Sequence, residues 1–229
     1  MKQTIQFVTG LLLVALAAIL PSTAAAKPLK VFILAGQSNM QGWTSVDTFD
    51  YMATEPKTAP VLKEIRGADG KPRVCEKVWI SSIGCAGDDT TEQKGKLTAG
   101  FGVQANRVGP EFTFGIYLEK MLDEPILLIK TSWGGKDLHT SFRSPSAGPY
   151  EWSDSELSHY KNRSSDLEKA KDQVLLENGF TPDELKRLRR GVSNLGFHYL
   201  GAAKIIAPIG KAFAEAMASL QTIQPREQQ

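Results

Sequence analysis

Three groups of residues in this 229-residue chain have types that could do chemistry together: Ser38 within Gly36-Gln37-Ser38-Asn39-Met40, the pair Gly134-Gly135 after Trp133, and His198 near the C-terminus. A serine oxygen can be a covalent nucleophile when an adjacent base removes its proton, and backbone N–H groups at glycines can bind the oxyanion that follows. Ser38 is therefore the candidate nucleophile, although Gly-Gln-Ser-Asn would equally serve as a polar turn closing a core strand. The glycines allow the backbone to come close to a ligand, and a Gly-Gly turn beside a core tryptophan would leave the same pattern. His198 can be a general base on a short loop before the last helix, while a lone histidine between Phe197 and Tyr199 also suits a structural role.

The elements that must position these residues can be read from the apolar pattern. Val31, Phe32, Ile33 and Leu34 form a continuous apolar run, as expected of a parallel strand buried on both faces, and Gly36 lets the chain turn where a side chain would clash. This arrangement delivers Ser38 to a strand's C-terminal end, where open α/β sheets hold their ligands. Gly109-Pro110-Glu111 opens a helix with apolar Phe112, Ile116, Leu118, Met121 and Leu122, which leads into a second buried strand, Pro125 to Lys130, and then Thr131-Ser132-Trp133-Gly134-Gly135. Strand, helix and strand in this order imply a right-handed crossover and a parallel sheet. Arg73 to Ser81 reads as another strand, 84–109 as a mobile loop, and Trp43 to Lys71 as a surface excursion with a short helix at Val61 to Ile65.

Beyond Tyr150 the pattern is polar and helical. Ser165-Asp166-Leu167-Glu168 and Thr181-Pro182-Asp183-Glu184 are capping-box candidates, and the basic residues Lys186 to Arg190 complement a helix C-terminus. Ile206, Ile209, Phe213, Met217 and Leu220 form the expected buried stripe of a closing helix, with Pro208 marking a kink or the helix start.

At the N-terminus, Lys2, the apolar core Phe7 to Leu20 and Ala24-Ala25-Ala26 predict a secretory signal peptide over 1–26, cleaved before Lys27, with the mature protein secreted or periplasmic. Residues 27–229 then form one domain, with no stable membrane insertion after cleavage. With 27 basic and 25 acidic residues the chain is nearly neutral, which argues against nucleic acid as a partner. Neither glycine-rich stretch has the phosphate-binding loop pattern. Cys75 and Cys85 would be permitted a disulfide after export, but the strand expected between them would hold them too far apart. The histidines His139, His159 and His198 have no zinc-like spacing, so no metal and no cofactor are expected. The sequence does not give the oligomeric state.

The stretch FILAGQSNMQG resembles the nucleophile block of SGNH-type carbohydrate acetylesterases, in the sialate O-acetylesterase-like group. GPEFTFGIYLEKMLDEPILLIKTSWGGKDL is similar to the group's glycine block and the helix before it, and NLGFHYLGAAKIIAPIGKAFAEAM to its end. The resemblance implies an α/β fold, a three-layer sandwich around a parallel sheet. It makes Ser38 the nucleophile, His198 the base, and Ser38 with Gly134 or Gly135 the oxyanion donors. Gln37, Asn39, Trp133 and His139 become candidate substrate contacts, and the partner becomes an acetylated carbohydrate. Glu111 matches a family position without a derived role. Two departures stand out. The acid usually found three residues before the histidine is Leu195 here, leaving a remote carboxylate or a backbone carbonyl to orient the ring; and 151–190 is a polar helical segment where relatives carry further strands and another oxyanion block. The expectation is an exported O-acetylesterase shortened in its middle and weaker than intact relatives; the alternative is a non-catalytic carbohydrate-binding remnant contacting sugar through Trp133 and His139.

Overall fold

The computed structural model describes residues 27–85, 88–157, 176–177, 179, 181–184, 190–194 and 197–223. Its centre is a four-stranded sheet of β1 (Lys30–Gly36), β3 (Val78–Cys85), β4 (Asp88–Lys96) and β6 (Ile126–Ser132), in the order β1-β6-β3-β4. β6 pairs in parallel with β1 and with β3, as the strand-helix-strand pattern predicts, and β4 returns antiparallel along β3. A small second sheet pairs β2 (Thr44–Ser45) with β5 (Arg107–Val108). The helices are α1 (Ser38–Gln41), α2 (Ala59–Ile65), α3 (Pro110–Met121) and α4 (Ala203–Ile223) among the described residues, with short 3₁₀ segments at Val46–Thr54, Pro145–Ala147 and His198–Gly201.

The core lies between one face of the sheet and α3. Phe32, Leu34, Val78, Ile80, Ile126 and Leu128 alternate along their strands toward this face, where Phe114 meets Phe32 edge-on, while Phe112 on the opposite side of α3 stacks on Phe49. Each such side chain contributes about 1.5–3 kcal/mol on burial. Gly115 lets the helix approach, since a Cβ there would overlap Leu97 and press on Leu128 and Val78. Glu119, buried at the far end of α3, accepts the N–H groups of Glu76 and Lys77 at 2.7 Å each and fixes the chain entering β3.

α4 packs on the other side of α3 through small residues. Ala203, Ala207, Gly210 and Ala214 are buried, and a Cβ on Gly210 would overlap Thr113. This corrects the expected stripe: Ile206 is buried, but Phe213 is 46% and Leu220 57% exposed, because close helix contact selects the small-residue face. Pro208 lies inside α4, which begins at Ala203.

Three further expectations change. β1 is buried on one face only, with Val31 49% and Ile33 71% exposed, because it is an edge strand and the described helices lie on the opposite face. The expected mobile loop over 84–109 contains β4, a polar strand held by backbone pairing to β3. Cys75 and Cys85 are free buried thiols, with β3 between them as expected. Burial, chiefly, and the charge of Glu119 push the Cys75 thiol up to about 12, so it stays protonated and unreactive.

The capping box at Thr181 forms, with its N–H and hydroxyl on the Glu184 carboxylate and its Oγ1 accepting the Glu184 N–H. The signal segment 1–26, Ser165 to Glu168, Lys186 to Arg189 and Leu195 lie outside the described residues. Among those described, no helix is long and apolar enough to cross a membrane.

Candidate active site

β1 ends in Gly36 and the chain turns at once into α1, whose first residue is Ser38. Gly36 is required there, since a Cβ would sit 2.8 Å from that of Met40. The Gln37 carbonyl accepts the Gln41 N–H at 2.8 Å, and the Ser38 carbonyl accepts that of Gly42 at 3.1 Å. The first N–H groups of such a turn have no partner within it and point outward, which suits an oxyanion. Ser38 is half-buried, and Gln37 and Asn39 flank it in the open.

β6, paired with β1, brings Gly134 to the same place. A Cβ on Gly134 would lie 3.7 Å from Ser38 Cβ and 3.0 Å from Gln41 Oε1, so its backbone borders Ser38 directly. Gly135 has a left-handed φ of 68° and faces open space. Of the two expected oxyanion glycines, the geometry favours Gly134. Gln41 is fixed by donating from Nε2 to the Gly84 carbonyl at 2.6 Å. Trp133 packs at the rim, tilted against Phe142 with ring centres 5.6 Å apart, and its indole leaves no room for a Cβ on Gly84.

His139 lies farther along this loop. It is exposed, meets the Tyr150 ring edge-on at 4.9 Å, and donates its backbone N–H to Asp137 at 2.8 Å. Asp137 also accepts from the Thr140 N–H and hydroxyl; these bonds, the Thr140 backbone first, hold its carboxyl below the usual carboxylate range.

His198 begins the 3₁₀ segment before α4, and this segment lies against α1, so the two expected catalytic residues belong to neighbouring turns. His198, Tyr199 and Leu200 all have positive φ, at 52°, 52° and 63°, in a region that costs an ordinary residue roughly 1–2 kcal/mol. The turn is held from behind. The Leu200 carbonyl accepts the N–H groups of Ser193 and Asn194 at 3.0 Å each, and the Ser193 hydroxyl accepts the Ser45 N–H at 3.0 Å and donates to the Gly201 carbonyl at 2.7 Å.

Two residues that the sequence reading did not place in the site complete this side. Trp43 stacks on the His198 ring with centres 4.7 Å apart and planes within 6°. The Asn194 amide lies 2.7 Å from His198 Nδ1. A half-turn exchanges the amide nitrogen and oxygen, so it can donate to a bare Nδ1 or accept from an Nδ1–H. General-base action requires the second state, because Nε2 then carries the lone pair. A local amide thus lies against Nδ1, where an orienting group would sit, a contact that was not among those expected. Only the absence of an acid at Leu195, with Asn194 beside it, could have signalled this in the sequence.

Deeper cavities lie elsewhere. A recess of about 510 Å³ between the Val46–Thr54 segment and Gly191 is lined by Asp47, Tyr51 and Arg107, and an apolar groove of about 570 Å³ runs between β1 and α4. Neither contains Ser38.

The family model for carbohydrate esterases of the sialic acid-specific acetylesterase type matches residues 28–170, more than half of the chain. The match takes in Ser38, Glu111, Lys130 and Gly134 and stops before Asn194 and His198. No curated protein matches the sequence. Among solved structures, a carbohydrate acetylesterase from Xanthomonas citri is similar at 14% identity and a TM-score of 0.27, over 48% of this chain and 23% of that one. This chain thus corresponds to under a quarter of that enzyme's length. From the family match over its sheet and nucleophile turn, the chain belongs to the carbohydrate esterase family of sialic acid-specific acetylesterases.

Proposed function

We propose that this protein is an exported serine esterase that removes O-acetyl groups from carbohydrates. The observation that carries the reading is the placement of Ser38 in the first turn after β1, bordered by the Gly134 backbone and neighboured by the turn bearing His198. In the reaction, His198 Nε2 takes the Ser38 proton and Oγ attacks the acetyl carbonyl, forming a tetrahedral oxyanion held by the N–H groups of Ser38 and Gly134. The imidazolium returns the proton to the departing sugar hydroxyl. Water then attacks the acetyl-serine with His198 as base and releases acetate. Asn194 keeps Nδ1–H occupied, and Trp43 limits rotation of the ring.

Exposure of Gln37, Asn39, Gly134 and His139 suits a substrate too large to be enclosed, such as a sugar within a longer chain. No cofactor is needed for this chemistry. Export rests on the N-terminal pattern, and N-terminal sequencing of exported protein should find Lys27 first; an intact Met1 would refute it.

The deciding experiment is acetate release from an activated acetyl ester and from acetylated sugars by the purified mature protein beside Ser38→Ala. Release that depends on Ser38 supports the esterase. Binding of acetylated sugar without release would instead identify a carbohydrate-binding remnant of the fold.

A further inference from the structure

Beneath the nucleophile turn lies a charged pair that the mechanism above does not use. Lys130, near the end of the central strand β6, and Glu111, in the first turn of α3, both have fully buried side chains, with Nζ and Oε2 2.9 Å apart. The Lys130 ammonium donates to the carbonyl of Gln41 at 2.9 Å and to that of Phe101 at 2.7 Å. Its charge meets Glu111 Oε2, which makes no other hydrogen bond, and Glu111 Oε1 accepts the Gly109 N–H at 2.8 Å. Gly109 in turn abuts α1, since a Cβ there would come within 2.8 Å of the Met40 carbonyl.

Stability alone gives little reason for two charges here. Well-packed apolar residues of similar size commonly replace a buried ion pair without loss, whereas removing one partner leaves an uncompensated charge. What an apolar pair cannot do is fix a carbonyl in space. Lys130 holds the last carbonyl of α1, and the Gln41 side chain above it spans from the Gly84 carbonyl to the Gly134 backbone. The separation of Ser38 from Gly134 is therefore set by a rigid path from the central strand through one ammonium.

We propose that the Lys130–Glu111 pair is a positioning device for the esterase reaction, fixing the C-terminal end of the Ser38–Gln41 turn so that the Ser38 oxygen and the Gly134 N–H keep their reactive separation. Lys130 is the positioning residue, and Glu111 allows its charge to remain buried while joining it to the Gly109 end of α3. This inference rests on the proposed esterase reading.

The test uses the double variant Lys130→Met/Glu111→Gln beside the single variant Glu111→Gln. The double variant removes both charges, while the amide oxygen of the introduced glutamine can still accept the Gly109 N–H. Thermal unfolding, kcat and KM on an activated acetyl ester, and amide hydrogen exchange of residues 36–44 and of the core strand residues Ile80 and Leu128 are measured together. The double variant should unfold near the wild-type temperature, while kcat falls about ten- to a hundredfold with KM changed little. The Gln41 and Gly42 amides should exchange at least about tenfold faster, and those of Ile80 and Leu128 should not. Glu111→Gln should show the reverse balance, with a larger drop in unfolding temperature than in kcat, because the ammonium keeps its carbonyls and loses its counter-charge. A double variant with wild-type kcat and exchange, or one that does not fold, would overturn the proposal and leave the pair a purely structural element. If the wild type releases no acetate, the esterase reading fails by itself. Exchange then still decides whether the pair holds the turn: faster exchange in the double variant supports the clamp, and unchanged exchange overturns it.

Discussion

The proposed nucleophile and its proposed base stand on turns of opposite character. Ser38 stands on α1, whose carbonyls are tied to α1's own following N–H groups and to Lys130, and whose neighbours Gly36, Gly84 and Gly109 are fitted so closely that a methyl group at any of them would collide. His198 stands on residues that all occupy the left-handed region, supported by Ser193 and Asn194 just upstream and by Trp43 from far away in the sequence. The first turn is low in strain and rooted in the central sheet. The second stores backbone strain and depends on side-chain contacts to keep it. Strained residues clustered at a site persist only when their surroundings over-determine them, and Ser193 and Asn194 supply that here.

The contrast would be tested most strongly by Ser38→Ala, which should lower kcat at least about a thousandfold, as loss of a covalent nucleophile does. Near wild-type acetate release by this variant would remove Ser38 from the mechanism and the contrast with it.

Next in size is the effect of Asn194. Replacement by leucine should lower kcat roughly ten- to a hundredfold by freeing the imidazole ring. Asn194→Asp should raise kcat above the wild type and move the acidic limb of the kcat/KM profile to higher pH, because a carboxylate beside Nδ1 favours the imidazolium. Identical pH–rate profiles for Asn194→Asp and the wild type would show that the amide is not the orienting group.

A smaller effect is expected from relieving strain on the histidine's turn. Leu200, with φ of 63° and its side chain 40% exposed, loses little packing on Leu200→Gly and gains a conformation that glycine adopts freely, worth about 1 kcal/mol. The unfolding temperature should rise by about 2–4 °C for a domain of this size. A fall would mean that the turn is not strained in solution. The opposite change, Gly36→Ala, should destabilise, since a Cβ there meets Met40.

The smallest effect concerns the loop beyond Gly134. Asp137 has its carboxyl pKa depressed by hydrogen bonds from Thr140 and His139, so its ionised form contributes order above the ordinary carboxylate pKa of about 4, and that contribution is lost as pH falls through the lower folded value. Amide exchange over 137–141 should therefore stay slow down to about pH 4 and quicken only below it. Faster exchange already at pH 6 would contradict the Asp137 contacts.

Much of the nucleophile's side was legible before any coordinates. Val31 to Leu34 made a strand, Gly36 its turn, Gly109-Pro110 a helix start and Pro125 to Lys130 the paired strand, because each is written in local periodicity and backbone restriction. The histidine's side was less so. His198 could be placed before the last helix, but its neighbour Trp43 comes from a segment that reads as a surface excursion, and nothing in the local pattern tells that the Asn194 amide turns onto the ring. β4, reading DDTTEQKGK, carries no apolar alternation, so only its backbone pairing with β3 marks it as a strand. The face of α4 that is buried was misjudged because large apolar side chains looked like the core stripe, while contact with α3 demanded small ones.

The sequence by itself determined the setting of the proposed chemistry: a serine at the end of an apolar strand, a glycine pair at the end of the next, and a family likeness running through both. Only the tertiary structure decided that Gly134 rather than Gly135 borders Ser38, that the Asn194 amide meets His198 Nδ1, and that Lys130 and Glu111 meet beneath the Ser38 turn. The physical reason is the range of the forces involved. Strands and turns follow from the sterics and hydrophobic period of adjacent residues, whereas the partner of a buried charge or a catalytic ring is chosen by which distant segments the packed sheet brings within hydrogen-bond distance.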